Sequence, residues 1–172
     1  MAAWYQSSSP FLRAAGRPGF SAMPGGRILV GEYPQPADVA WLRDEQGVGA
    51  VVCLQDEDDF AAKRIDPRRL VAAYAEHDVE FHHVPVVDGD FEHLAMRLPE
   101  IVGIMHRLLG AGRRVYLHCN AGFNRAPTAA IAYLRWHEGL SLVEATRVVK
   151  EYRSCAPYQR ALQLVFPGET LR

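Results

Sequence analysis

Apolar positions along this chain follow two different periods. Short, nearly continuous apolar runs at Arg27–Tyr33 (RILVGEY), Gly49–Gln55 (GAVVCLQ), Val79–Val86 (VEFHHVPV) and Arg114–His118 (RVYLH) read as strands. Between them the spacing lengthens to that of helices. Asp38–Gln46 makes a short helix with Asp38 as its cap, and Pro67–His77 a second with Leu70, Val71 and Tyr74 on one face. Leu94–Leu109 repeats Leu98, Ile101, Val102, Met105, Leu108 and Leu109 at helical intervals until Gly110 and Gly112 stop it. Ala126–His137 is helical, Ser141-Leu-Val-Glu144 is a capping box opening a helix to about Arg153, and Pro157–Val165 is a last helical piece. Asp56–Asp59 reads as an acidic loop.

Apolar strands alternating with helices predict an α/β fold: a single domain with a central, mainly parallel sheet flanked by helices on both faces. The expected divisions are an irregular lead-in over 1–26, the domain over 27–166 and a short tail over 167–172. No internal repeat or low-complexity tract interrupts this plan.

Composition narrows the function. At 172 residues and 49% hydrophobic, the chain has ample material for one core. A formal charge of -1 provides no basic field for nucleic acid, and no apolar run approaches the ~20 residues of a membrane span. Three cysteines, Cys53, Cys119 and Cys155, have no CxxC spacing, which argues against a disulfide scaffold or a zinc site and for a reducing compartment. The expected location is the cytoplasm. The first 26 residues are free of acids, contain Arg13 and Arg17 and several serines, and so share the flavour of an organellar leader. Their Trp4, Tyr5, Phe11 and Phe20 equally suit packing on the domain, and an irregular lead-in is the preferred reading.

The stretch VYLHCNAGFNRAPTAAIAYL carries the chemistry. A buried strand ends at His118-Cys119, five residues turn, and Arg125 opens a helix. In open α/β sheets ligands sit beyond the carboxyl ends of strands, which is where Cys119 falls. Such a turn directs backbone N–H groups at an anion, backed by the positive end of a helix dipole. Gly122 supplies conformational freedom inside it, and Arg125 adds a fork of donors for two phosphate oxygens. The same field favours thiolate over thiol, making Cys119 an activated nucleophile aimed at phosphorus. Ordinary packing is the commoner fate of a cysteine in apolar sequence. The strand before, the glycine within and the helix after favour the catalytic reading, and the loop lacks the Gly-Lys-Ser/Thr of a nucleotide-binding loop. A proton donor for the leaving oxygen is also needed, and Asp88, Asp90 and Glu92 follow the strand VEFHHVPV on a loop that can reach the same rim. Position alone does not separate the two aspartates.

HCNAGFNRAPT resembles the signature loop of the cysteine-dependent protein tyrosine phosphatases, in the dual-specificity branch. With FLR, VCLQ, AMRLP, NRAP and RSCAP, the chain looks most similar to plant glucan phosphatases and to laforin-like enzymes, over roughly Pro10 to Val165. The resemblance implies a phosphoric monoester hydrolase in which Cys119 forms a phosphocysteine intermediate, Arg125 binds phosphate, and Asp88, 31 residues before Cys119, is the general acid. Asn120, Ala121, Gly122, Phe123 and Asn124 would line the phosphate cradle, with His118 behind it. No metal or organic cofactor is implied, and the expected protein is a monomer acting on phosphoprotein or phosphoglucan.

The chain also departs from that pattern. Phe123-Asn124 stands where the glucan enzymes carry an aliphatic residue and glycine, and Gly89 where they carry an aromatic after the acid. Losing that aromatic removes a platform for a sugar chain; Phe20, Phe91, Trp4 and Tyr5 are the candidates to replace it, or simply pack. Ala126 after the arginine is shared with the glucan branch. The alternatives are an inactive phosphate-binding module, against which Cys119, Arg125 and the acid are all retained, and a phosphatase of lipids or other small phosphorylated molecules, disfavoured by a loop without basic residues. Cys53, near the end of a strand expected beside the catalytic one, either packs in the core or forms a reversible disulfide with Cys119.

Overall fold

The computed structural model describes residues 16–170. Five strands form one sheet in the order β1-β2-β5-β3-β4, where β1 is Phe20–Ala22, β2 Ile28–Gly31, β3 Ala50–Cys53, β4 Glu80–His83 and β5 Val115–His118. β1 runs antiparallel to β2, and every other neighbouring pair is parallel. β5 is therefore central, with Val30 and Val52 flanking Leu117, and Gly31 and Cys53 flanking His118.

Among the described residues, seven α-helices cover the sheet. α1 (Val39–Asp44), α2 (Glu57–Ala62) and α3 (Pro67–Glu76) pack on one face; α4 (Phe91–Gly110), α5 (Arg125–His137), α6 (Leu142–Tyr152) and α7 (Gln159–Val165) pack on the other. The pleat sorts the strands between two cores. Leu29, Val51, Cys53 and Tyr116 join Val39, Leu42, Phe60, Leu70 and Tyr74 on the first face. Val30, Val52, Leu117 and Cys119 join Leu98, Ile101, Met105, Ala129 and Ile131 on the second. α5 is buried from Arg125 through Leu134, as its apolar composition on all sides demands, so its first turn is fixed in the middle of the molecule.

The expected α/β domain is present, with four local differences. Phe20–Ala22 is a strand within the anticipated irregular lead-in, because Phe20 packs on Trp41 and Tyr116 at ring distances of 6.0 and 6.1 Å. The acidic loop is instead the start of α2. Asp59 N donates to Asp56 Oδ1 at 2.8 Å and Asp56 N to Asp59 Oδ2 at 3.0 Å, a reciprocal cap built from two carboxylates. Asp38 makes no cap bond to α1; its carboxylate accepts from Gln35 N (2.8 Å) on a 3-10 turn, Pro36–Asp38. α4 begins three residues before the expected Leu94, because Asp90 caps it by accepting from His93 N at 2.8 Å. The capping box at Ser141 and Glu144 is formed as expected. Trp4, Tyr5 and Phe11 lie outside the described residues. Among those described, no helix is long and apolar enough to cross a membrane.

Candidate active site

The loop Cys119–Asn124 leaves the carboxyl end of β5, the central strand, and runs directly into α5. Each of its carbonyls from Asn120 onward is held. Asn120 O accepts from Tyr33 N at 3.0 Å and Phe123 O from Ala156 N at 2.9 Å. Ala121 O and Gly122 O accept from the Arg153 guanidinium at 2.9 and 2.5 Å. Asn124 O accepts from Thr128 Oγ1 at 2.7 Å and Thr128 N at 3.1 Å. In a trans peptide the carbonyl and the following N–H point to opposite sides, and the peptides here are trans. Carbonyls pinned to the surroundings therefore turn the N–H groups of residues 121–125 the other way, into the loop. That is a geometry able to cradle an anion, and it lies at the amino end of a thirteen-residue helix.

Gly122 makes the turn possible. Its φ is +60°, and a Cβ there would meet Gly31 O at 2.5 Å and Arg153 Nη2 at 2.8 Å.

Arg125 is almost fully buried, with 1% of its surface exposed. Its Nη1 donates to Asp59 Oδ2 and to Val86 O, both at 2.7 Å. Its Nε is buried without a hydrogen-bond partner and stands 3.3 Å from Asp88 Oδ1, close enough for an ion pair but not aligned as a hydrogen bond. A buried guanidinium oriented by two firm acceptors and keeping a donor in reserve is a ready partner for phosphate. Burial opposes its charge, but Cys119 and the bonded Asp59 outweigh that, and the guanidinium stays protonated. Asp59 responds in kind: burial pushes it up, the bond and charge of Arg125 and the bond from Asn120 pull it down, and the net direction is down. Asn120 Nδ2 donates to Asp59 Oδ1 at 2.6 Å while its Oδ1 accepts from Gln55 Nε2 at 2.8 Å. Lys63, also buried, lies near the same carboxylates, with its Nζ 5.7 Å from the centre of the Tyr33 ring.

The two candidate acids part company. Asp88 reaches the site, where its Oδ1 meets Arg125 and accepts from Tyr158 Oη at 2.9 Å. Asp90 is turned away as the cap of α4, and Glu92 occupies that helix's first turn.

The structure thus gathers Cys119, Asn120, Ala121, Gly122, Phe123, Asn124, Arg125 and Asp88 around one turn. His118 lies behind them, buried, with Nδ1 3.0 Å from Cys119 O. Burial drives its pKa down to about 4, against a smaller opposing effect of that carbonyl, so the ring is neutral. Cys53 lies across from His118 on β3, where burial pushes its thiol up to about 12. It belongs to the first-face core whereas Cys119 packs with the second. Among the described residues no group of three or more His, Cys, Asp or Glu side chains is arranged to hold a metal ion.

Asp59, Arg153 and Tyr158 were not anticipated. Asp59 was legible only through its cap partner, four acids being contiguous, and Arg153 and Tyr158 stand in RSCAPY, a segment whose role is set entirely by tertiary contact.

A family model for the dual specificity phosphatase catalytic domain matches residues 38–163. The chain is 33% identical over 140 residues to an amyloplastic phosphoglucan phosphatase of Castanea sativa, covering 79% of this chain and 37% of that protein. It is 30% identical over 139 residues to laforin of Mus musculus, covering 72% and 42%. The chain thus spans less than half the length of these relatives. A kinase-associated phosphatase structure in which serine replaces the catalytic cysteine superimposes with a TM-score of 0.72 at 16% identity, covering 88% of this chain and 94% of that one, a likeness of fold.

Proposed function

The chain belongs to the dual-specificity phosphatases, and on that premise we propose that it hydrolyses phosphate monoesters through a phosphocysteine at Cys119. The Cys119 thiolate attacks phosphorus; a P–S bond forms as the P–O bond to the leaving group breaks, and Asp88 gives its proton to the departing oxygen. The N–H groups of residues 121–125 and Arg125 take up the charge spread over the three equatorial oxygens. In the second half Asp88 accepts a proton from water, water oxygen bonds to phosphorus, the P–S bond breaks, and thiolate and inorganic phosphate are left. No metal or cofactor takes part.

One observation carries this reading: the loop carbonyls of Asn120–Asn124 are all tied outward around a buried, pre-oriented Arg125. A buried cysteine with only a packing role would need no such cradle.

For substrate we infer a phosphate carried on a neutral scaffold, a phosphoglucan in the first place. Support comes from the phosphoglucan phosphatase relative and from the rim itself. Residues 120–124 carry no basic side chain and Asp88 adds a negative charge beside them, which disfavours substrates with several phosphates. Beside Asp88, Phe91 is 40% exposed and meets Tyr158 edge-on with ring centres 4.9 Å apart, an aromatic surface suited to a sugar face.

Two measurements test this. Rapid quenching during turnover of an aryl phosphate should trap phosphate on Cys119, and Cys119→Ser should neither trap nor turn over. Phosphate release from phosphorylated amylopectin, phosphopeptides and phosphoinositide vesicles, with Cys119→Ser as blank, should rank amylopectin first; preference for peptides or vesicles would transfer the substrate assignment to that class.

A further inference from the structure

The Asp88 carboxyl has two polar contacts among the described residues, and both fall on Oδ1: Arg125 Nε at 3.3 Å and Tyr158 Oη at 2.9 Å. Only the tyrosine is aligned as a hydrogen bond. Asp88 otherwise sits on an exposed turn beside Gly89, whose φ is +80°, and its side chain is about half exposed (51%); among the described residues Tyr158 is its one hydrogen-bond partner. We propose that Tyr158 is the positioning residue for the general acid: its phenol holds Asp88 Oδ1 as an acceptor, so that Oδ2 is the oxygen that carries the proton and delivers it to the leaving group. This rests on the reading of Asp88 as the acid.

Tyr158 is well placed for the role because it is anchored to the phosphate loop. Its backbone N–H donates to Thr128 Oγ1 at 2.8 Å, and that hydroxyl donates to Asn124 O at 2.7 Å. Ala156, two residues earlier, bonds Phe123 O through its N–H and accepts from Asn124 Nδ2 at 2.7 Å. One short segment therefore sets both the cradle that holds the phosphate and the carboxyl that protonates its leaving oxygen. The distance between the two is transmitted through these hydrogen bonds, the one from Tyr158 Oη to Asp88 and the edge-on contact with Phe91. Both neighbours of Oδ1 are donors, and a carboxylic acid with one oxygen facing two donors carries its proton on the other. Burial, the Asp88 charge and the bond to it all push the phenol up, so it remains a donor throughout the working pH range.

The consequence appears in how kcat/KM depends on the leaving group. A good leaving group departs as the anion and scarcely needs the acid; a poor one depends on it fully. In Tyr158→Phe, kcat/KM, which reports only the steps up to loss of the leaving group, should fall about tenfold or more for an alkyl phosphate and far less for p-nitrophenyl phosphate, as for partial loss of general-acid catalysis. The ring and its contact with Phe91 are retained in that variant, and the melting temperature reports on its fold. Asp88→Asn should show the same leaving-group dependence, larger, and Asp88→Asn combined with Tyr158→Phe should lose nothing further on the alkyl phosphate. A loss of kcat/KM equal across leaving groups, or one that adds to that of Asp88→Asn, would overturn the positioning role. If kcat/KM of Asp88→Asn itself falls equally on all leaving groups, the assignment of Asp88 as acid fails instead, and the proposal falls with it.

Discussion

Arg125 Nη1 lies 2.7 Å from Asp59 Oδ2, and both groups are buried, one at the start of α5 and the other on the first turn of α2 across the sheet's carboxyl edge. The pair ties the two helical layers together at the point where phosphate is expected. Asp59 serves three partners at once. It caps its own helix through Asp56 N, orients Arg125, and accepts from Asn120 Nδ2 in the cradle.

Replacing it should therefore damage stability and activity together. Asp59→Asn leaves a buried guanidinium short of its counter-charge, for which a cost of about 3–5 kcal/mol is typical of broken buried pairs. The expected outcome is a large fall in melting temperature and weakened competitive inhibition by inorganic phosphate, followed by calorimetry and steady-state kinetics. An unchanged inhibition constant in a folded variant would separate Asp59 from Arg125's function.

Gly122 permits no side chain. Gly122→Ala puts a methyl group into Gly31's carbonyl and the Arg153 guanidinium, and the left-handed backbone alone costs about 1–2 kcal/mol for an alanine. Because the obstructing atom is backbone, the loop itself must move. Turnover should fall more than tenfold, the order expected when a preorganised oxyanion donor is displaced, while the circular-dichroism spectrum stays that of the parent.

The legible part of this site lay where chemistry is contiguous. Cys119, Gly122 and Arg125 stand on one short loop, so strand end, turn and helix start can all be read from spacing. Asp59 could not be singled out, since it ends a run of four acids and only its pairing with Asp56 at capping-box spacing marks the helix that turns it inward. Asp88 and Asp90 look alike in a DGD turn. They differ because the apolar period of α4 can be extended back to Phe91, which makes Asp90 the cap and frees Asp88 for the site. β1 is three residues long, too short to show alternation, and its pairing is set by packing of Phe20. Arg153 and Tyr158 owe their roles to partners distant along the chain, which no local pattern encodes.

Arg153 holds two consecutive loop carbonyls with one planar fork, besides reaching Ser21 Oγ at 3.2 Å. Arg153→Met keeps much of the stem's packing but releases Ala121 O and Gly122 O, a loss of about 1–3 kcal/mol if those carbonyls stay buried and unpaired. With the carbonyls no longer fixed outward, phosphate and vanadate should bind several-fold more weakly. Arg153→Lys should restore little, because an ammonium cannot bridge two acceptors in that fixed geometry. Full rescue by lysine, measured as an inhibition constant, would reduce Arg153 to a charge.

His118 is buried with its Nε2 lacking a hydrogen-bond partner, and its pKa is lowered from 6.5 to about 4 chiefly by burial. The unfolded chain therefore takes up a proton on this histidine before the folded one does. Stability from this source is complete above about 6.5 and drains as pH falls toward 4, by on the order of 3 kcal/mol in all. Urea unfolding followed from pH 7.5 to 4.5 should show that decline, and His118→Asn, which has no titrating ring, should flatten this part of the curve even if the variant is less stable throughout. An equal slope in both proteins would assign the acid sensitivity to other groups.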